Sequence, residues 1–91
     1  MIDPEFADAA ELTSTYGSLR GPIIRNPVAL EVLLDVETEA LRDAIDQADP
    51  ADTRLKRARA LLDRTLQGAP RDAAKRYQLA MALNLTRQRL S

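Results

Sequence analysis

NPVALEVLLDVETEALRDAIDQADP, residues 26–50, is the stretch whose reading decides the fold. It opens with Asn26 before Pro27. Proline is welcome as a first helical residue because the N–H it lacks would be unpaired there anyway, and an Asn before it caps the turn. Advancing ~100° per residue, as an α-helix does, sorts the side chains after Val28 into two faces. Val36, Ala29, Ala40, Leu33, Ala44, Leu30, Leu41, Leu34 and Ile45 fall on one half, and Glu31, Asp35, Glu39, Asp43, Asp46 and Arg42 on the other. Only Glu37 breaks the pattern, projecting into the apolar half. An unpaired buried carboxylate is costly. Glu37 is therefore expected near the bundle's end, paired with an arginine, or against a partner.

The same punctuation recurs downstream. Pro50 follows Asp49, Pro70 follows Ala69, and Gly68 is placed to supply a left-handed stop between the second and third segments. Helices are predicted at about 27–47, 50–67 and 71–89. Their short connections make chain neighbours antiparallel, so residues 26–91 are predicted to be an all-α, three-helix up-down-up bundle. Upstream, residues 1–25 read as a flexible N-terminal arm. Its opening MIDPEF contains Asp-Pro-Glu-Phe, which a BamHI–EcoRI cloning junction can encode, and residues 1–6 are set aside on that ground. From Ala7 to Arg25, Ser, Thr, Gly and Pro alternate without a period. Ile23 and Ile24 are its only adjacent apolar pair, able to fold back on the bundle.

The second predicted helix has a narrow apolar stripe of Leu55, Ala58, Leu62, Thr65 and Leu66. Arg54, Lys56, Arg57, Arg59 and Arg64 spread over most of the remaining circumference, with Asp63 among them. A DNA-reading helix would gather such bases on one side, with groups aimed at base edges. A solvated face balanced by acidic neighbours is the plainer reading, and phosphate binding by these five residues is the alternative. The third predicted helix carries two stripes on nearly opposite sides: Ala74, Tyr77, Met81 and Leu85, then Leu79, Leu83 and Leu90. Either this helix lies centrally and uses both, or the second stripe is exposed and calls for a partner helix. The second arrangement is the expectation adopted.

Composition narrows the functional classes. In 91 residues there is no cysteine and no histidine. Disulfides, thiolate zinc sites and cysteine nucleophiles are excluded, and the usual proton-transfer side chain is missing. Asp43, Asp46, Asp49 and Asp52 recur every third residue, but without the alternating ligands, central glycine and terminal glutamate of a calcium loop. Asp49 and Asp52 read better as helix-start residues. Neither a phosphate loop nor a nucleophile–base motif appears. The three aromatics, Phe6, Tyr16 and Tyr77, are too few to make a base-stacking platform. No catalysis, cofactor, metal or small-molecule ligand is expected. No apolar run approaches the ~20 residues of a membrane span, so the expected compartment is cytoplasmic, with signal-less secretion left open. Arginine outnumbers lysine eleven to two, a bias that fits a GC-rich bacterial genome. The net charge of −1 divides unevenly. Residues 1–53 hold twelve acids and three bases, and residues 54–91 hold two acids and ten bases.

Residues 55–90 carry two resemblances. Ala58, Leu62 and Pro70 fall where a tetratricopeptide repeat places its small, large and proline positions, with Gln78 where such repeats prefer glycine. The 34-residue period is not repeated, so this looks like one helical hairpin rather than an array. LLDRTLQGAPRDAAKRYQLAMALNLTRQRL, residues 61–90, resembles the two-helix small co-chaperones of type III secretion systems. In those a glycine-containing turn precedes a Tyr-Gln-like helix that packs on a larger chaperone. The resemblance implies a chaperone-type heterodimer, with Tyr77, Leu79, Leu83 and Leu90 as contacts by position. The functional expectation is a non-catalytic protein-interaction module, its partner another protein or a second copy. Leu79, Leu83 and Leu90 would enter the partner's groove while Arg76 and Arg87 pair with its acids and Glu37 serves as a further contact. Nucleic-acid binding through the second helix is the competing expectation.

Overall fold

The computed structural model describes residues 17–91, which form four α-helices and, among the described residues, no strand. They are α1 (Gly17–Arg25), α2 (Pro27–Gln47), α3 (Leu55–Gly68) and α4 (Ala73–Leu90). The expected arm is thus shortened. Residues 17–25 are helical, with Pro22 inside α1 and Ile23 and Ile24 half-buried against the core. The rest of that arm, including residues 1–6, lies outside the described residues.

α2 begins as its Asn-Pro pair dictates: the Asn26 side chain accepts hydrogen bonds from the amides of Val28 and Ala29, and Pro27 starts the helix. The other two prolines do not start helices. Asp49 Oδ1 accepts from the Ala51 amide at 2.9 Å, closing a side-chain turn around Pro50. The chain then runs through a turn until Leu55, where Asp52 accepts from the Arg54 amide at 2.9 Å. Likewise α4 starts two residues beyond Arg71, because Asp72 caps it through the Lys75 amide at 3.1 Å. Gly68 is the last residue of α3 and has no positive φ, so it is not the left-handed stop expected.

The core is built from one face each of α2 and α3 and nearly the whole of α4. α2 contributes Leu30, Leu34, Leu41 and Ile45, and α3 contributes Leu55, Ala58, Leu61 and Leu62. Leu61 widens the buried stripe on one edge, whereas Leu66, expected inward at the other edge, is exposed. On α4, Tyr77 and every residue from Leu79 to Asn84 are buried, so this helix faces neighbours in every direction. Both stripes of α4 are therefore internal. Leu79 and Leu83 are 0% exposed, so the expectation that they stand on the surface awaiting a partner is overturned by the central placement of their helix.

Candidate functional site

The residues expected to bind a partner are brought into one region, but as the cement between α4 and its neighbours. Arg76 Nη1 donates to the Pro70 carbonyl at 2.9 Å, and Nη2 to Glu31 Oε1 on α2. Its guanidinium is committed within the chain. Tyr77 is fully buried, with the Arg20 guanidinium of α1 at 5.9 Å from its ring centroid, a cation–π contact. Glu37 is 8% exposed, and its Oε1 accepts from Asn84 Nδ2 at 3.1 Å; Asn84 Oδ1 in turn accepts from Gln88 Nε2 at 2.7 Å. Of the explanations open for Glu37, internal pairing holds, with an asparagine where an arginine was considered. Its Oε2 has no hydrogen-bond partner. Arg87 and Leu90 are half-buried and line a shallow groove with Ala40, Asp43 and Ala44 at the ends of α2 and α4.

Two outward surfaces remain. The first is on α2, opposite its core face. Val28, Val32 and Val36, one turn apart, are 72%, 56% and 56% exposed. Helical periodicity puts Val36 on the buried half, whereas the burial of Leu30, Leu34, Glu37, Thr38, Leu41 and Ile45 rotates it into solvent. Glu31, Asp35, Glu39, Asp43 and Asp46 are exposed alongside the valines. α2 as a whole has six acids and one base. Arg42 pairs with Glu39 at 2.9 Å, while Asp35, Asp43 and Asp46 form no ion pair among the described residues. Val28 and Val32 were missed in the sequence. Their signal was the i, i+4, i+8 spacing among acids, which puts three β-branched side chains on a polar face.

The second surface is the outer side of α3. Arg54, Lys56, Arg57, Arg59 and Arg64 are all exposed there, with Ala60 and Leu66. They are not equivalent. Arg54 is clamped on Asp52, Nη2 to Oδ2 at 2.6 Å and Nε to Oδ1 at 2.9 Å. These hydrogen bonds, side chain first and then the Arg54 amide, hold the Asp52 carboxyl at about 2, below its ordinary 3.8. Lys56, Arg57 and Arg59 form no ion pair among the described residues.

Asp43 and Asp46 are exposed on α2, Asp49 holds its turn and Asp52 is paired with Arg54. Among the described residues no helix is long and apolar enough to cross a membrane. Compared with known proteins, the chain matches no family model, no curated protein and no solved structure.

Proposed function

We propose that the protein is a non-catalytic helical interaction module that binds another polypeptide through the outer face of α2. The observation carrying this reading is the row Val28, Val32 and Val36, more than half exposed on a helix whose core face is already complete without them. β-branched residues are poorer helix formers than Ala, Glu or Lys, and in water they return no burial. Three of them in register lower the stability of the isolated chain slightly, a cost that a partner surface would offset. Absence of Cys and His supports leaving catalysis out of the reading. Within it, α2, α3 and α4 form an up-down-up core with α1 packed across. The pairs Glu31–Arg76 and Glu37–Asn84 support this, since both numbers rise together in parallel helices. A chaperone-type heterodimer, as residues 55–90 resemble, is one form such a partner could take. It would have to engage outer surfaces rather than Leu79 and Leu83.

A photo-crosslinking side chain placed at position 36 in the native cells tests the reading. A defined adduct from position 36, absent when the same group sits at exposed position 67, is expected. Equal, diffuse labelling from both positions would sink it. Phosphate binding by α3 is the second reading, favoured by exposed Lys56, Arg57 and Arg59 and opposed by Asp63 and the Asp52 clamp on Arg54. It requires duplex affinity that falls steeply with salt, as counterions are released.

A further inference from the structure

Resting on the interaction reading above, we propose that the valine face of α2 takes the basic outer face of α3 from a second copy of the chain. The acids around the valines set the chemistry of the occupant. Two α2 faces brought together would oppose Glu31, Asp35, Glu39, Asp43 and Asp46 against their own copies, and like charges across an interface are strongly disfavoured. A helix that covers Val28, Val32 and Val36 must therefore be basic along its flanks and must offer some apolar surface between them. α3 meets both needs. It has four bases and one acid, with Lys56, Arg57 and Arg59 outside any intrachain ion pair among the described residues. Ala60 is exposed between these bases, and Leu66, 58% exposed, stands at the edge of the same surface beside the core stripe.

The lengths agree as well. The 14 residues of α3 rise about 21 Å, and the 16 residues from Val28 to Asp43 on α2 about 24 Å at the same pitch. Because every copy carries both faces, α2 of one copy can take α3 of the next, a heterologous contact that closes into a ring where the rotation allows and otherwise continues from copy to copy. The valines are suited to the task, since a β-branched side chain in a helix keeps essentially one χ1 rotamer and loses little freedom on docking. The uneven charge of the two halves of the chain becomes the basis of pairing, with association accelerated by attraction and weakened by salt.

The test is analytical ultracentrifugation of the full chain over a wide concentration range at low and high salt, with two charge-reversed variants. Asp35→Lys, Asp43→Lys and Asp46→Lys together take α2 from −5 to +1 at residues lacking an intrachain ion pair among the described residues, and Lys56→Glu, Arg57→Glu and Arg59→Glu together take α3 from +3 to −3. The wild type is expected to self-associate, less tightly at high salt. Each variant alone should keep its helicity and dissociate at least about a hundredfold more readily, since its changed face now meets a like-charged one. Mixed in equal amounts, the two variants should associate with each other, because each reversed face finds its complement. A wild type that stays monomeric at every concentration overturns the proposal and leaves the interaction reading to the adduct from position 36. Association indifferent to either reversal, or variants that do not recover each other, overturns it too. Misfolding of one variant shows as lost helicity in circular dichroism, and single reversals at Asp35 and at Arg59 then test the contact, since each should weaken association and indifference to both overturns the proposal.

Discussion

Leu79 and Leu83 on α4 and Val32 and Val36 on α2 are both aliphatic pairs one turn apart. The first pair is fully buried and the second is more than half exposed. The difference comes from what surrounds the two helices. α4 has α1, α2 and α3 all packed on it, so no side of it is left for solvent along residues 79–84. α2 lies at the rim and buries a single face. A second apolar stripe thus means interior on a central helix and free surface on a peripheral one. The bare pattern of a helix does not say which it is.

Truncation breaks this comparison most directly. Leu83→Ala should cost about 2–5 kcal/mol, the usual range for removing a buried leucine and leaving a cavity. That is a large part of a small domain's stability. Val36→Ala should cost nothing, and should raise stability slightly because alanine is the better helix former. Urea unfolding followed by circular dichroism, at a salt concentration that suppresses the proposed docking, would measure both. Similar losses at the two positions would mean that α2 is as enclosed as α4. Leu83→Asp obeys the same logic and should abolish helicity, not merely assembly.

A smaller effect sharpens the contrast within the core itself. Glu37 and Asn84 are buried polar residues of α2 and α4 held together by one hydrogen bond. Asn84→Ala strands the Glu37 carboxyl and should cost about 1–3 kcal/mol, the penalty for a buried polar group left without its partner. Replacing both with leucine should cost clearly less than the sum of the single changes, since apolar pairs of similar volume often substitute well for buried polar ones. Additive losses in that double-mutant cycle would show that the two residues act independently.

The legibility of the sequence divides in the same way, between local and global. The start of α2 was legible because Asn26 and Pro27 act on their own neighbours. The starts of α3 and α4 were misplaced because Asp49, Asp52 and Asp72 bind nearby amides more effectively than Pro50 or Pro70 can open a helix. α1 went unseen because its glycines and Pro22 weaken any local signal, while the half-buried Ile23 and Ile24 hold it by packing. At the candidate site, the acidic and basic faces were visible as charge, and Leu79 and Leu83 were visible as a stripe. Their burial depends on how the helices are arranged around α4, which no periodicity within α4 encodes.

Gly68 offers a milder change. A Cβ added there meets nothing within 4 Å, and the backbone has no positive φ that would resist it. Gly68→Ala should therefore stabilise by about 0.4–1 kcal/mol through lost freedom of the unfolded chain. Destabilisation would restore the role of helix stop first assigned to Gly68, with a left-handed backbone in solution.

The weakest effect should come from the exposed pair at the start of α3. Arg54 lowers the Asp52 pKa in the folded protein, so the folded state binds a proton there less readily than the unfolded chain. The contribution is fully present above the unfolded carboxylate value of about 3.9 and disappears as pH falls from there through about 2. NMR titration of the Asp52 carboxyl should find its midpoint near the lower end of that window. Arg54→Gln should move it up toward the ordinary value, while the core signals of Leu79 and Leu83 stay where they are. A midpoint unchanged by Arg54→Gln would mean that the clamp does not form in solution. Arg54 would then join Lys56, Arg57 and Arg59 on the basic face, adding to the charge available for the acids of α2.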